Sequence, residues 1–561
     1  MNLRLTSSAL ALAAMTAPAF ADVTSEQVWQ SWVDYYSSAG YQVTEGKREK
    51  AGDTLTITDM TVAFGKAEAE ADVKPDSTLT FSVPQITLTE TGDGKVRTVY
   101  ADQAQGNFSG TDAAGDDFTL DFTLDMPGNA TVTSGAPEDM THEFDYPTMD
   151  VALGVMKTGD KEQPLPVRIS LKNSTGKMHN VAGATAKYDY DFKSERLTFS
   201  GDVVTDENDG KVKFDGDMAG LEMVGQMSLP SGQDMAGDMN ASLKAGLIAN
   251  GTVKFGATAA MFDFAGTSPE GQPQTAGGKY DAKGFDVTFA MSQDGLGYQG
   301  NSDAAAFELT TSDVPFPIKY AAESASFDIQ LPVMKADAAQ PFKFAYSLGG
   351  LTLGDELWNL FDAQGALPRD PASLDLDLTG LMKVNEDLFD PASMAPDMPA
   401  EDAVTAADAA AEAAADAATD PATDPAPDMA PGMAENVLAE PIVPTQVTIN
   451  QFALSLMGAR ITATGELKAA EGADIATAPP IGQIKAEYEG VNGLVDKLAG
   501  MGLIPEDQLM GVRMMLAMFA KPVAEGEDLA AARAVEAGLY AQHLLDAGAR
   551  DASTYCAMAK R

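Results

Sequence analysis

The sequence has very few of the residues that usually carry metal or covalent chemistry. A single cysteine, Cys556, excludes a disulfide within the chain. The three histidines, His142, His179 and His543, lie far apart, and none has a second histidine or cysteine at ligand spacing. We therefore expect no zinc or transition-metal site of the usual kind, and no cofactor.

Motifs of catalysis are missing in the same way. The chain contains no G-x-S-x-G nucleophile elbow. Gly278-Lys279 resembles the end of a phosphate-binding loop, but Pro273 stands where its first glycine belongs, and Tyr280 stands where a serine or threonine should follow. We predict a protein that is not an enzyme and that has no catalytic residue.

Basic residues are scarce relative to acidic ones. The chain has 37 Lys and Arg against 83 Asp and Glu, a formal net charge of -46. Nucleic acids and anionic lipid headgroups are bound by clustered Lys and Arg, so we predict no nucleic-acid partner. The acidic surplus fits two interpretations that composition does not separate: solubility, for example in a salty habitat, or a preference for cationic partners or divalent ions.

Long apolar runs are missing after the N-terminus. Arg4 gives a short basic start, residues 5–17 are mainly apolar and small, and Ala19-Phe20-Ala21 fits the small-x-small cleavage pattern. We predict a signal peptide over residues 1–21, cleaved after Ala21, with export to the periplasm or out of the cell. No later segment has about 18 uninterrupted apolar residues, so we predict no transmembrane segment in the mature chain.

What the sequence has in abundance is alternation. In D-D-F-T-L-D-F-T-L-D-M, residues 116–126, every second side chain is apolar. A period of two is the pattern of a half-buried strand. We expect protein to cover most of this apolar face, with at most part of the sheet left open for a ligand. The candidate ligand-facing residues are Phe118, Leu120, Phe122, Leu124 and Met126.

The same pattern continues over most of the chain, from residue 41 to about residue 384. The phase slips at Thr58-Asp59, which predicts a bulge, and Asp93-Gly94 is a hairpin signal. A helix is predicted over residues 24–39, because Thr24 and Gln27 have capping-box spacing before an apolar stripe. The fold class is therefore mainly β: a large antiparallel sheet, elongated and curved or an open β-groove, with a few capping helices.

Changes of composition divide the chain. Residues 22–399 hold the first helix and the large β region, and residues 400–440 form an acidic Ala/Pro-rich segment, a disordered linker or an inserted loop. Residues 441–525 predict further strands and a pair of helices. The methionines of the second helix suit either a cap on the sheet or a lipid-facing surface. Residues 526–561 are an Ala/Arg-rich tail, either a native helix or the product of a late frameshift.

Several stretches resemble a known bacterial family. They are L-W-N-L-F-D-A-Q-G-A-L-P-R-D-P-A-S-L-D-L-D-L-T-G with D-L-F-D-P after it, T-L-T-I-T-D-M near the start, and G-L-V-D-K-L-A-G-M-G-L-I-P-E-D-Q near the end. These resemble the domain-of-unknown-function family 2125 (DUF 2125), which supplies no catalytic residue. More weakly, T-A-T-G-E-L in a strand-rich chain is similar to AsmA-like envelope proteins. That second resemblance implies a long curved sheet with an apolar groove for lipids.

Three functions follow from these observations. The first is a non-enzymatic envelope protein that binds or carries a lipid or another amphipathic ligand. The second is a purely structural or assembly factor that contacts other envelope proteins. A distant third is a carbohydrate-active enzyme that uses paired carboxylates, because Asp and Glu are so abundant here that some will pair in space. The best calcium-like stretch, Asp206 to Gly210, lacks EF-hand spacing, so we interpret it as a turn and predict no metal site.

Overall fold

The structure is a computed structural model that describes residues 23–64, 77–111, 116–159, 161–204, 210–231, 238–269, 271–390, 442–470 and 480–519. The predicted signal peptide, the acidic segment 400–440 and the tail 526–561 lie outside these residues, as does most of the calcium-like stretch. The chain folds mainly into strands, as the alternation predicts.

All the strands belong to one 26-stranded sheet in which the paired strands are antiparallel. They are β1 (Gln42–Thr44), β2 (Lys47–Ala51), β3 (Thr54–Phe64), β4 (Ser77–Glu90), β5 (Val96–Tyr100), β6 (Gln103–Thr111), β7 (Asp117–Asp125), β8 (Ala130–Ala136), β9 (Asp139–Thr158), β10 (Lys161–Pro164), β11 (Val167–Val181), β12 (Thr185–Val204), β13 (Lys211–Pro230), β14 (Ile248–Phe255), β15 (Thr258–Thr267), β16 (Pro273–Ala282), β17 (Phe285–Ser292), β18 (Gly295–Ser302), β19 (Ala305–Thr311), β20 (Val314–Ala322), β21 (Ser324–Leu331), β22 (Gln340–Leu353), β23 (Ala372–Val384), β24 (Ile442–Leu456), β25 (Ala459–Lys468) and β26 (Ile481–Glu489).

Successive strands pair across the sheet in one direction, from β3 near one end to β26 at the other. Long strands such as β9, β12 and β13 cross its whole width, while elsewhere two short strands lie end to end and share one long neighbour. Thus β13 pairs with β15 along its first half and with β14 along its second half. With neighbouring strands about 4.8 Å apart, this arrangement makes an elongated sheet rather than two stacked layers.

A line of irregular residues runs across the middle of the long strands. Asn173 in β11 and Gly220 in β13 have positive φ angles of 51° and 82°, and Gly350 in β22 has 65°. The Asn173 side chain donates a hydrogen bond of 2.7 Å to the Glu195 carboxylate on β12. At this line the alternation slips by one residue, as it also does at Asp59, where φ is 52° and a bulge was predicted.

Five helices are described: α1 (Ser25–Ser38), α2 (Met239–Lys244), α3 (Asp355–Phe361), α4 (Val491–Gly500) and α5 (Glu506–Phe519). The Thr24 hydroxyl accepts from the Gln27 backbone N–H, and the Gln27 side chain accepts from the Thr24 backbone N–H, so the predicted capping box is confirmed. Helices α2 and α3 were not predicted, because each has fewer than eight residues and shows no helical period.

The main core lies under α1, at the end of the sheet where the chain begins. Val28, Trp29 and Trp32 of α1 are buried against β3 and β4, where most apolar side chains are buried as well. Helix α2 adds Leu243 to the same cluster. The fully buried strand residues here are Leu55, Ile57, Val83, Ile86, Leu88 and Val96.

The chain on either side of the acidic segment belongs to one sheet. Val384, at the end of β23, is the register partner of Ile442, at the start of β24. Pairing then continues without a break through β25 to β26. Strands β24 to β26 therefore extend the sheet formed by the preceding strands.

The stretches that resemble the domain-of-unknown-function family 2125 make packing contacts in the structure. Trp358 of α3 is buried with the Arg369 guanidinium 5.5 Å from its ring centre, and the buried Asp362 carboxylate accepts from the backbone N–H groups of Ala366 and Leu367. Asp387 accepts from Asn240 and pairs with Lys244, which joins the end of β23 to α2. These residues stabilise turns and helix contacts in the fold.

The covered end of the sheet should be far more sensitive to truncation than the rest. We expect Ile57→Ala to lower the free energy of unfolding by about 2–5 kcal/mol, because the side chain is fully buried. We expect Tyr298→Ala on β18 to cost roughly 1 kcal/mol or less, since that side chain is 44% exposed. Chemical denaturation of both variants measures the difference, and equal losses would contradict the assignment of the core.

Candidate functional site

The five residues predicted to face a ligand lie on and just after β7. Phe118, Leu120, Phe122 and Leu124 are half-buried, and Met126, just beyond the strand, is buried. Their register partners on β6 include Gly106 opposite Phe122 and Ala104 opposite Leu124. The structure therefore brings all of them to one face, which we call the apolar face.

Cross-strand pairing carries this apolar face across the whole sheet. Antiparallel partners point to the same side, so a row of register partners stays on one face. From β9 to β26 one such row is His142, Met178, Tyr190, Gly225, Gly251, Phe289, Tyr298, Ile329, Phe344, Leu378, Ile449, Gly465 and Ile484. After His142, each member is apolar, aromatic or glycine.

The slips of phase preserve this face. Where the long strands kink, the spacing between apolar residues becomes three instead of two, as between Met218 and Leu221 on β13. Without the extra residue, the second half of each strand would turn its apolar side chains to the opposite side. The bulges therefore keep one face apolar along both halves of the strands.

Phenylalanine rings repeatedly cover glycines on this face. A methyl group at Gly106 would lie 1.9 Å from Cζ of Phe122, so that ring occupies the space over the glycine. Five further pairs repeat the arrangement directly across neighbouring strands: Phe199 with Gly216, Phe214 with Gly201, Phe262 with Gly278, Phe327 with Gly300, and Phe342 with Gly380. Sequence reasoning missed these pairs, because their partners are identified by register and not by spacing.

The apolar face is buried at one end and partly exposed along much of the rest. Under α1 most of its residues are buried, whereas Tyr320 on β20 is 46% exposed, Phe344 on β22 40% and Tyr298 on β18 44%. Further exposed residues of this face are Phe108, Ile169, Met223, Tyr346 and Leu353. Contiguous exposed apolar patches of more than several hundred Å² are unusual on soluble monomers and mark binding surfaces.

The opposite side, the polar face, carries hydroxyl, carboxylate and lysine side chains. On β22, Lys343 lies next to Phe344 in sequence but pairs with the Asp328 carboxylate of β21 at 2.7 Å. Partial burial raises the pKa of Asp328, but hydrogen bonds from Lys343 and Gln330 outweigh it, so the pKa lies below its usual value. This carboxyl group is therefore ionised and lacks the raised pKa of a glycosidase acid.

Beneath α1 lies a buried polar spot in the apolar core. The Trp32 ring is 4.7 Å from the His142 ring, whose Nδ1 is 2.8 Å from the Thr133 hydroxyl. His142 Nε2 and Trp32 Nε1 are buried, and neither has a hydrogen-bond partner among the described residues. Burial lowers the pKa of His142 to about 4, so the ring is neutral near pH 7.

Ion pairs at its first turn hold α1 on the sheet. Glu90 of β4 accepts from the backbone N–H of Ser25 and pairs with Lys50 of β2 at 2.6 Å. The Lys50 ammonium group and the Ser25 N–H lower the pKa of Glu90 to about 2. The Trp29 indole N–H donates to Glu45 at 2.8 Å, which adds a second attachment one turn further along.

The methionine-rich helix α5 lies at the far end of the chain. Helix α4 packs against β25, and α5 packs against α4 through contacts that include the Arg513–Asp496 pair. Met510 and Met514 of α5 are strongly exposed. Packing on α4 agrees with a cap on the sheet, and the exposed methionines agree with a lipid-facing surface.

The described residues contain no group of three or more His, Cys, Asp or Glu side chains placed to hold a metal ion. His179 lies on the surface between Asp139 and Asp189, with its ring nitrogens 2.7 Å and 3.4 Å from their carboxylates. No helix in the described part of the chain has both the length and the apolar character needed to span a membrane.

No family model, no curated protein and no solved structure matches this chain. The resemblance to the domain-of-unknown-function family 2125 stays a prediction. The candidate site therefore rests on geometry: one apolar face, buried under α1 at one end and partly exposed along much of the rest.

Protonation of His142 should weaken the folded state in acid. An unfolded histidine titrates near pH 6.5, while the folded chain holds this ring neutral down to about pH 4. Between these values the unfolded chain binds a proton that the folded chain does not, so the free energy of unfolding falls by about 3 kcal/mol as the pH drops.

Denaturation curves of the natural sequence and of His142→Gln, recorded from pH 7 to pH 4, measure this effect. We expect the variant to lose less stability in acid. His179→Gln is the control, because carboxylates, above all Asp139, raise the pKa of that ring. The His179→Gln substitution should therefore not reduce the loss of stability in acid. If the free energy of unfolding falls equally with pH in the natural sequence and in His142→Gln, the role of His142 is contradicted.

Proposed function

We propose that this protein is an exported, non-enzymatic envelope protein that binds or carries a lipid or another amphipathic ligand on its apolar face. The observation that carries the proposal is the continuous apolar row from β9 to β26, most of which lacks a protein cover in the described part of the chain. An acyl chain laid across the strands would bury both its own surface and these side chains, at about 25 cal/mol per Å².

The shape of the surface suits a long flexible chain. The Phe–Gly pairs place flat rings over glycines, so broad aromatic rings fill the space above these positions. From β14 to β26 the apolar row crosses nine neighbouring strands. With about 4.8 Å between neighbouring strands, this part of the row is on the order of 40 Å long. Contacts of this kind give affinity through the apolar area that they bury. They include few hydrogen bonds that would select one ligand species over another.

Charge narrows the class of ligand. The chain carries a net charge of -46, and the described polar face offers carboxylates that are ionised or paired with lysine, such as Asp328 with Lys343. An anionic headgroup would meet a repulsive field over the whole molecule. We therefore propose neutral or zwitterionic amphiphiles, with the apolar chain on the sheet and the headgroup in solvent.

Export supports the same proposal. The N-terminal pattern that ends at Ala21 is typical of a cleaved signal peptide, which would place the mature chain in the periplasm. An amphiphile that crosses an aqueous compartment needs a protein surface that shields its apolar part from water. The alternative, a structural or assembly factor, draws its support from the closed core under α1, where protein covers the apolar face completely.

Adjacent residues of one strand provide a matched test of ligand contact. The three natural tryptophans, Trp29, Trp32 and Trp358, are all buried. A new tryptophan at Tyr298 would therefore report on the apolar face, and one at Gln299 would report on the polar face. We expect phosphatidylcholine with brominated acyl chains to quench the emission of Tyr298→Trp strongly and that of Gln299→Trp little, because bromine quenches on close approach.

The same lipid without bromine controls for changes of structure. Absence of quenching in both variants would overturn lipid binding on this sheet. Equal quenching in both variants would show contact that does not distinguish the faces, and would equally contradict the proposal.

A further inference from the structure

The last described strand of the sheet, β26, has one edge that pairs with no described strand. In the described part of the chain, β26 pairs with β25 on one side and with no strand on the other. Helix α4 follows β26 and packs against β25. Unpaired backbone N–H and C=O groups along an edge are a template for a further strand.

The opposite end of the sheet is protected by charge. There β3 pairs with β1 and β2, and all five residues of β2, Lys-Arg-Glu-Lys-Ala, are exposed. Lys47 and Glu49 on this strand pair at 2.6 Å. Strands rich in charged residues are a common means of preventing edge-to-edge association. One end of the sheet therefore carries a charged strand that disfavours association, whereas the edge of β26 at the other end lacks this protection.

The sequence of β26, I-G-Q-I-K-A-E-Y-E, is complementary to itself in one antiparallel register. With Ala486 placed opposite Ala486 of a second copy, Lys485 falls opposite Glu487 and Ile484 opposite Tyr488, each pair occurring twice by symmetry. The two ion pairs lie on the polar face and the two apolar pairs on the apolar face. In the described part of the chain, neither Lys485 nor Glu487 makes an ion pair.

We propose that two copies of this chain associate through their β26 strands about a two-fold axis, with Ala486 at its centre. An antiparallel pair of identical strands is an isologous contact, which closes at two subunits and does not propagate into a filament. Partners point to the same side, so the apolar faces of the two copies join into one surface of twice the length. The inference concerns assembly and stands independently of what the apolar face binds.

A cysteine at the symmetry centre gives a direct test. In a Cys556→Ser background, Ala486→Cys should form a disulfide between two copies under mild oxidation, because residues directly opposite each other have Cβ atoms about 4.5–5.5 Å apart. Ala463→Cys is the matched control: Ala463 is the register partner of Ala486 on β25, points to the same face and lies one strand further from the axis. It should give no disulfide-linked dimer.

Charge reversal tests the register. Sedimentation equilibrium should show a dimer for the natural sequence, weakened on the order of tenfold or more by either Lys485→Glu or Glu487→Lys, since each places two like-charged pairs opposite each other. The double variant K485E/E487K should restore the dimer. Lys47→Glu should leave it unchanged, whereas a head-to-tail contact between β2 and β26 would be affected. Circular dichroism melts confirm that each variant folds.

Three results would overturn the proposal. The first is a monomer at all concentrations without cross-linking of Ala486→Cys. The second is a dimer that survives both single reversals, which would place the interface elsewhere. The third is a dimer lost in both single variants and not restored in the double variant, which would exclude the Lys485–Glu487 pairing. None of these measurements includes lipid, so failure here leaves ligand binding to be judged by its own test.

Discussion

The structure depends on keeping one face of a very long sheet apolar through every strand. Each strand contributes by alternation, but alternation alone would fail wherever a strand bends. Residues with positive φ, such as Asp59, Asn173 and Gly220, insert one extra position at these bends and restore the phase. Register partners on antiparallel strands point to the same side of the sheet. Once the phase is restored in one strand, the apolar face therefore continues on the neighbouring strand.

That constraint explains why the molecule has two regions of different character. An apolar face needs a cover or a ligand, and the chain supplies a substantial helical cover at one end. There α1 buries two tryptophans against β3 and β4, and Glu90 with Lys50 holds the first turn in place. Beyond the core the face depends on neighbouring side chains, and the phenylalanine rings over glycines reduce the area that water reaches.

The buried His142 shows the energetic consequence of that cover. A neutral imidazole has one ring nitrogen hydrogen-bonded to Thr133 and the other without a partner in the described part of the chain. It is tolerated under Trp32 because burial keeps it uncharged. A protonated ring in the same place would carry a buried charge with no carboxylate beside it. Helix attachment and the protonation of this residue are therefore linked, while the accessible part of the apolar face contains no comparable group in the residues that form the row.

The sequence by itself determined the class of structure and several local details. A period of two specifies which side chains share a face of a strand, so the apolar set Phe118, Leu120, Phe122, Leu124 and Met126 could be named without coordinates. The capping box of α1 and the bulge at Asp59 are also local, because each depends on residues a few positions apart. The tertiary structure decided which part of the apolar face is covered, which phenylalanine meets which glycine, and which strand forms the edge. These depend on contacts between residues far apart in the chain, such as Trp32 with His142, and the alternation of a strand is the same whatever lies above it.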